Sequence, residues 1–196
     1  MSIAPMPPVT LDEFLRREAE AGEGVRLELI HGEIRETDTT TRNAWNTFVL
    51  FRLSYIIETW LIHHPQLTAF AGVGECRCEI TQDPPQIVGI DLGVWMGPEY
   101  AQVPESPSHP RTPPVLAVEV LSPSDTHGDI SEKRKLYLDC GVEEVWYVDP
   151  ELRAITIHRN GQEPELLSIS QRYVGQGTFS GLEFDTRLLF ERGPII

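Results

Sequence analysis

A chain of 196 residues, 40% hydrophobic and 23% charged, is sized for one globular domain. No apolar run in it approaches the roughly 20 residues that a bilayer-spanning helix needs, which argues against a membrane protein. A formal net charge of -14 has the wrong sign for binding nucleic acid through a broad basic surface, so such binding would need a local basic patch, metal ions or a basic partner.

The opening Met-Ser-Ile-Ala-Pro-Met-Pro-Pro lacks the basic and apolar regions of a secretory leader, and residues 1–9 read as a flexible arm before a single domain over 10–196. The odd cysteine set Cys76, Cys78 and Cys140 suits a reducing compartment, so the expected location is cytoplasmic. A first helix is predicted to open at Thr10, where Thr10-Leu-Asp-Glu13 is a capping-box pattern, and to stop near Gly22 or Gly24. Strands over 25–30 and 33–36 flank His31-Gly32, a two-residue hairpin turn. A longer helix follows over 41–63, with Trp45, Phe48, Val49, Ile56 and Trp60 as its apolar stripe and Pro65 at its close.

Strands are then predicted over 67–72, 75–81, 87–95 and 115–121, the last two separated by a Pro- and Ser-rich loop (98–114) expected to be exposed and mobile. A helix over 130–140 is signalled by Asp129 with Glu132 three residues on and by Gly141 past its end. Strands over 144–148, 154–158 and 165–169 follow, and apolar residues in 181–190 are expected to pack back on the body. Helices first, then strands with one late helix, indicate an α/β or α+β sandwich.

The informative residues are acids inside strands. Val115-Leu-Ala-Val-Glu119-Val-Leu121 is apolar on both faces, as for a covered central strand, except at Glu119, and Asp91 has a similar setting within 87–95. An unpartnered carboxylate buried there would cost on the order of several kcal/mol. Two such acids on neighbouring strands would repel each other without a cation between them, a requirement that a hard divalent ion such as Mg²⁺ meets. On the helix that follows, a 100° turn per residue places Lys133 amid Ile130, Leu136, Tyr137 and Cys140. A lysine there either snorkels outward or reaches a buried anion, Glu119 or a phosphate.

Leu116-Ala-Val-Glu119-Val-Leu-Ser-Pro-Ser124, then Asp129, Glu132-Lys133, Tyr137, Gly141-Val142, Glu144 and Trp146-Tyr-Val-Asp-Pro150, resemble the Uma-type restriction endonuclease family of the PD-(D/E)-x-K nuclease superfamily. Thr10-Leu-Asp-Glu-Phe14, Glu28-Leu-Ile-His-Gly-Glu33 and Asp91 match upstream in the same order. The resemblance implies a restriction-endonuclease-like fold, a mixed central sheet flanked by helices, and hydrolysis of phosphodiester bonds in DNA with Mg²⁺ or Mn²⁺, by a homodimer as is usual in the family. It further implies Asp91, Glu119, Lys133 and Glu28 as catalytic residues and Asp91, Glu119 and Val120 as the metal positions. Three departures stand out. Ile90 replaces the superfamily's proline, Leu121 its strand lysine, and His31 an acid in the turn. The missing strand lysine and the acidic balance favour an alternative, a catalytically silent domain of the same fold used for binding or dimerisation.

Other motifs carry less. Arg134, Lys135, Arg153 and Arg159 are candidate phosphate contacts or ordinary surface charges, and Ser122-Pro-Ser124 is either a phosphate-binding turn or a plain one. Cys76-Arg-Cys78 lacks further ligands for zinc and fits alternating strand residues. His63-His64 suits a helix C-terminus, Gly72-Val-Gly74 is too short to cradle a phosphate, and Tyr137 and Trp146 are expected in the core.

Overall fold

The computed structural model describes residues 7–22, 24–38, 43–102 and 109–193. Helix α1 (Leu11–Glu20) opens where the capping box predicts, with the Thr10 side chain accepting from the Glu13 N–H, and it buries Phe14. Strands β1 (Val25–Ile30) and β2 (Glu33–Asp38) pair antiparallel. His31 and Gly32 between them have φ of 52° and 79°, as a tight two-residue hairpin of this hand requires. A side chain at Gly32 would meet Pro8 at 2.5 Å, and the Val9 N–H donates to the Gly32 carbonyl, so the described end of the predicted arm is stitched to the hairpin.

Helix α2 (Ala44–His63) is capped by Asn43, which accepts from the Asn46 N–H; residues 41–42 of the predicted helix lie outside the described residues. Its end is satisfied as its histidines suggest: Nδ1 of His63 and of His64 each bond the carbonyl four residues back. The two strands predicted over 67–72 and 75–81 are one, β3 (Ala69–Gln82). The break is a bulge at Gly74 and Glu75 (φ 82° and 59°), across which β3 keeps its pairing with β4 (Pro85–Met96).

The Pro- and Ser-rich stretch departs from expectation where it is described. Tyr100 is buried, and the Thr112 carbonyl accepts from Trp95 Nε1 and the Cys78 thiol, while the Thr112 hydroxyl bonds that of Tyr100. Arg111 pairs with the buried Glu79. Composition marks a loop but cannot show that its backbone satisfies buried donors.

Strand β5 (Leu116–Val120) leads through α3 (His127–Asp139) into β6 (Glu144–Asp149), which pairs with it in parallel. Helix α3 starts three residues before the predicted 130, because Thr126 is the cap. Its hydroxyl accepts from the Asp129 N–H and donates to the Asp129 carboxylate. Strands β7 (Ala154–His158) and β8 (Glu165–Ser168) complete a sheet of order β2-β1-β4-β5-β6-β7-β8, with β3 also on β4. The closing segment packs back as expected: β9 (Arg172–Val174) pairs with β10 (Glu183–Asp185), and α4 (Arg187–Phe190) follows, with Leu182, Phe184, Leu189 and Phe190 buried.

The sheet separates two apolar layers. Leu116, Val118 and Val120 of β5 join the α2 layer with Leu53, Ile57 and Trp146, whereas Ala117 joins the α3 layer with Leu136, Tyr137 and Tyr147. Strand alternation therefore sends Glu119 to the α3 side. The architecture is α/β, a large mixed sheet flanked by helices. No helix among the described residues is long and apolar enough to cross a membrane.

Candidate active site

Asp91 and Glu119 meet because of strand register. Strands β4 and β5 pair antiparallel with Leu92 opposite Val118; continued by one step, that register sets Asp91 opposite Glu119, where facing residues share a side of the sheet. The Val120 N–H donates to Asp91 Oδ2 at 2.8 Å and ties the end of β5 to the middle of β4. Asp91 is 3% exposed, and the Glu119 side chain is 13% exposed where it faces a cleft of about 870 Å³.

Helix α3 brings the cation. The Lys133 ammonium lies 2.8 Å from Glu28 Oε1, 3.7 Å from Glu119 Oε1 and 3.4 Å from the Gly89 carbonyl. The Gly89 N–H donates to the same Glu28 oxygen, so β1, β4, β5 and α3 are tied through one lysine. Of the two fates open to Lys133, snorkelling outward or reaching buried anions, the structure has the second. Four residues on, and so on the same face of α3, the Tyr137 hydroxyl donates to Glu119 Oε1 at 2.5 Å.

These contacts set the charge states. Burial pushes the Glu119 carboxyl up from its ordinary 4.5 to about 7; the Asp91 and Glu28 charges add to the rise, and Lys133 and the Tyr137 hydrogen bond oppose it. Burial pulls the Lys133 ammonium down, but Glu119, Glu28 and Asp91 outweigh it and hold the group charged. Burial and the Glu119 charge both raise the phenols of Tyr137 and Tyr147, which stay protonated. The site therefore has one carboxyl poised near neutrality beside a permanent cation.

The donor set suits a hard cation. Asp91 and Glu119 offer carboxylate oxygens; Val120, whose N–H is spent on Asp91, could add only its carbonyl. No group of three or more His, Cys, Asp or Glu side chains arranged to hold a metal occurs among the described residues. Two carboxylates completed by backbone and water match Mg²⁺ or Mn²⁺ better than zinc or an all-protein calcium cage. A cation would also relieve the cost of ionising Glu119 beside Asp91. Cys76 and Cys78 are β3 residues, and burial pushes the Cys78 thiol up to about 12, far from a ready metal ligand.

Glu28, Asp91, Glu119, Val120 and Lys133 all line the cleft, as does the Ser122–Ser124 turn, which Asp125 closes by accepting from the Ser122 N–H and hydroxyl. Arg134, Lys135, Arg153 and Arg159 do not line it. Arg159 instead neutralises the buried Glu144 at 2.7 Å and also pairs with Glu165; Lys135 pairs with Asp139, and Arg134 bonds Ser131. Arg153 sits exposed with a positive φ of 51°.

Three further residues bear on the site. Tyr137, expected only to pack the core, is buried but gives its hydroxyl to Glu119. Its position four residues after Lys133 was the available signal. Asn46, buried near the start of α2, donates to the Leu121 carbonyl at 3.0 Å and fixes the cleft end of β5. Arg35 lines the cleft, held by Glu132 at 2.6 Å. Nothing local in the sequence singles out Asn46, one of several polar residues of α2, or Arg35.

A family model described as "Uma2: Putative restriction endonuclease" matches residues 11–187. No curated protein matches the chain. Among solved structures, the chain is similar to a crystal structure described as that of a putative nuclease belonging to DUF820 from Anabaena variabilis. The TM-score is 0.72 at 22% identity, covering 93% of this chain and 98% of that one. At that identity the likeness is one of fold. With its mixed sheet and its strand-borne acids in place, and with the family model spanning nearly its whole length, the chain belongs to the Uma2 restriction-endonuclease-like family.

Proposed function

We propose that this protein is a Mg²⁺-dependent endonuclease that hydrolyses phosphodiester bonds in DNA. The observation that carries the reading is the arrival of the Lys133 ammonium from α3 at Glu119, at the centre where the superfamily's strand lysine is replaced by Leu121. Asp91 and Glu119 would hold the metal, with the Val120 carbonyl beside them. A divalent ion bound there supplies an activated water and neutralises charge on the phosphate. Lys133, kept charged by Glu28 and Glu119, provides fixed positive charge where negative charge accumulates on the phosphoryl oxygens. Tyr147, whose hydroxyl donates to the Ile130 carbonyl, walls the cleft beside it.

The opposing observation is charge. Seven carboxylates line the cleft (Glu28, Glu36, Glu75, Asp91, Glu119, Asp125 and Asp129), against Arg35 and Lys133. This imbalance favours the second reading, a catalytically silent domain that binds or dimerises. Cleavage of plasmid DNA separates the two. The endonuclease reading expects Mg²⁺-dependent nicking by the wild type and its loss in Asp91→Ala and Glu119→Ala. Equal cutting by all three proteins, or no cutting with Mg²⁺ or Mn²⁺, overturns it for that substrate. A homodimer would place two such clefts on the two strands, and sedimentation at micromolar concentration tests that assembly.

A further inference from the structure

We propose that Tyr137 is a positioning residue: its hydroxyl clamps Oε1 of Glu119 and so presents that carboxylate to a cation through its other oxygen alone. The inference rests on the reading of Asp91 and Glu119 as metal ligands. Tyr137 is fully buried, and its ring would fill the α3 layer equally well as phenylalanine. A buried hydroxyl costs free energy unless it is hydrogen-bonded, and this one is spent on the one acid of β5 through a short contact of 2.5 Å.

The hydrogen-bond donor and the cation that α3 sends toward Glu119 both lie nearest the same atom. Tyr137 reaches Oε1 at 2.5 Å and Lys133 stands 3.7 Å from it, and no hydrogen-bond donor among the described residues reaches Oε2. The neighbouring acids are held in a comparable way: Glu28 Oε1 takes the Gly89 N–H and Lys133, and Asp91 Oδ2 takes the Val120 N–H. The clamp is firmly mounted. Thr126 caps α3, and the Tyr147 hydroxyl ties the Ile130 carbonyl of the helix to the sheet.

Denticity is what such a clamp controls. Mg²⁺ demands near-ideal octahedral geometry with short bonds, whereas Ca²⁺ readily accepts both oxygens of one carboxylate. With Oε1 engaged by Tyr137, Glu119 is a poor two-oxygen ligand, and the centre favours the smaller ion. Removing the hydroxyl releases Oε1 and weakens that preference.

The test is Mn²⁺ binding to the full chain and to Tyr137→Phe, followed by electron paramagnetic resonance, with Mg²⁺ and Ca²⁺ as competitors. Tyr137→Phe is expected to bind Mn²⁺ and Mg²⁺ about tenfold more weakly, the usual scale for losing a group that orients a ligand. Ca²⁺ binding should fall less, so the Mg²⁺-over-Ca²⁺ preference drops several-fold. Unchanged affinities, or an equal loss for all three ions, would reduce Tyr137 to packing and overturn the proposal. Should Tyr137→Phe fail to fold by metal-free urea unfolding, the wild type decides. Its infrared carboxylate bands on Mg²⁺ binding, assigned by their loss in Glu119→Gln, should show one-oxygen coordination, and a two-oxygen pattern would refute the clamp. A wild type that binds no Mn²⁺ removes the metal reading of the site and this inference with it. Normal wild-type binding with an indifferent Tyr137→Phe sinks the clamp alone.

Discussion

Replacing Glu119 by glutamine should stabilise the metal-free protein, an unusual outcome for removing a hydrogen-bonded, ion-paired residue. The folded chain holds the Glu119 proton up to about pH 7, while an unfolded chain releases it near 4.5. Between those values the folded state binds more protons, so stability falls as pH rises through the window; below it Glu119 contributes nothing, and above it the full penalty applies. A shift of that size corresponds to about 3 kcal/mol at pH 8. Glutamine keeps the acceptor for Tyr137, and Glu28 still pairs with Lys133 at 2.8 Å, so little else is lost. Urea unfolding in the presence of a chelator, at pH 4.5 and pH 8, measures the difference. Glu119→Gln and wild type should be close at the lower pH, and the variant should lead by up to about 3 kcal/mol at the higher, or about 6–12 °C in Tm for a chain of this size. Saturating Mg²⁺ should shrink or reverse the gap, because only the wild type offers a second charged ligand beside Asp91. A variant clearly less stable than wild type at pH 8 without metal would refute the reasoning and make Glu119 a structural ion-pair partner.

Lys133→Met should be destabilising by about 3 kcal/mol at pH 8, because Glu28 and Glu119 lose their shared cation while still largely buried; a loss under about 1 kcal/mol in urea unfolding would show that solvent compensates them. Arg159→Met should cost a similar amount, about 3 kcal/mol, by stranding Glu144 with only Trp146 Nε1 and the Tyr173 hydroxyl. It should leave DNA affinity unchanged in fluorescence anisotropy, and a marked affinity loss would return Arg159 to the phosphate contacts. Gly93→Ala forces a methyl to within 2.3 Å of the Trp95 ring, and thermal melts should register about 1–3 kcal/mol of overpacking; a neutral result would mean that the indole moves freely.

The candidate site was partly written in the chain. An acid in a strand apolar on both faces, and a lysine in the middle of a helix's apolar side, violate local patterning, and Glu119 and Lys133 both line the candidate cleft. Tyr137 escaped for the converse reason: a tyrosine is mostly ring, its pattern is that of a core residue, and the destination of its hydroxyl leaves no trace in hydropathy. The early start of α3 was legible in Thr126 and Asp129, but Asp129 with Glu132 offered an equally good box three residues later. Arg159 is neither the phosphate contact nor the plain surface charge that its sequence allows, because a basic residue just past the end of β7 carries no mark of the buried acid, Glu144, that it meets.

What the sequence determined by itself was local: caps, turns, the periods of helices and strands, and the few residues that break them, since each depends on neighbours within a turn or two of the chain. What only the tertiary structure decided was pairing. Asp91 faces Glu119 because β4 and β5 align Leu92 with Val118, and Lys133 reaches Glu28 because β1 lies against β4. Those contacts join residues 28 to 105 positions apart. No short-range propensity encodes them, and they form only when two apolar layers close over both faces of the sheet and fix its strands in one register.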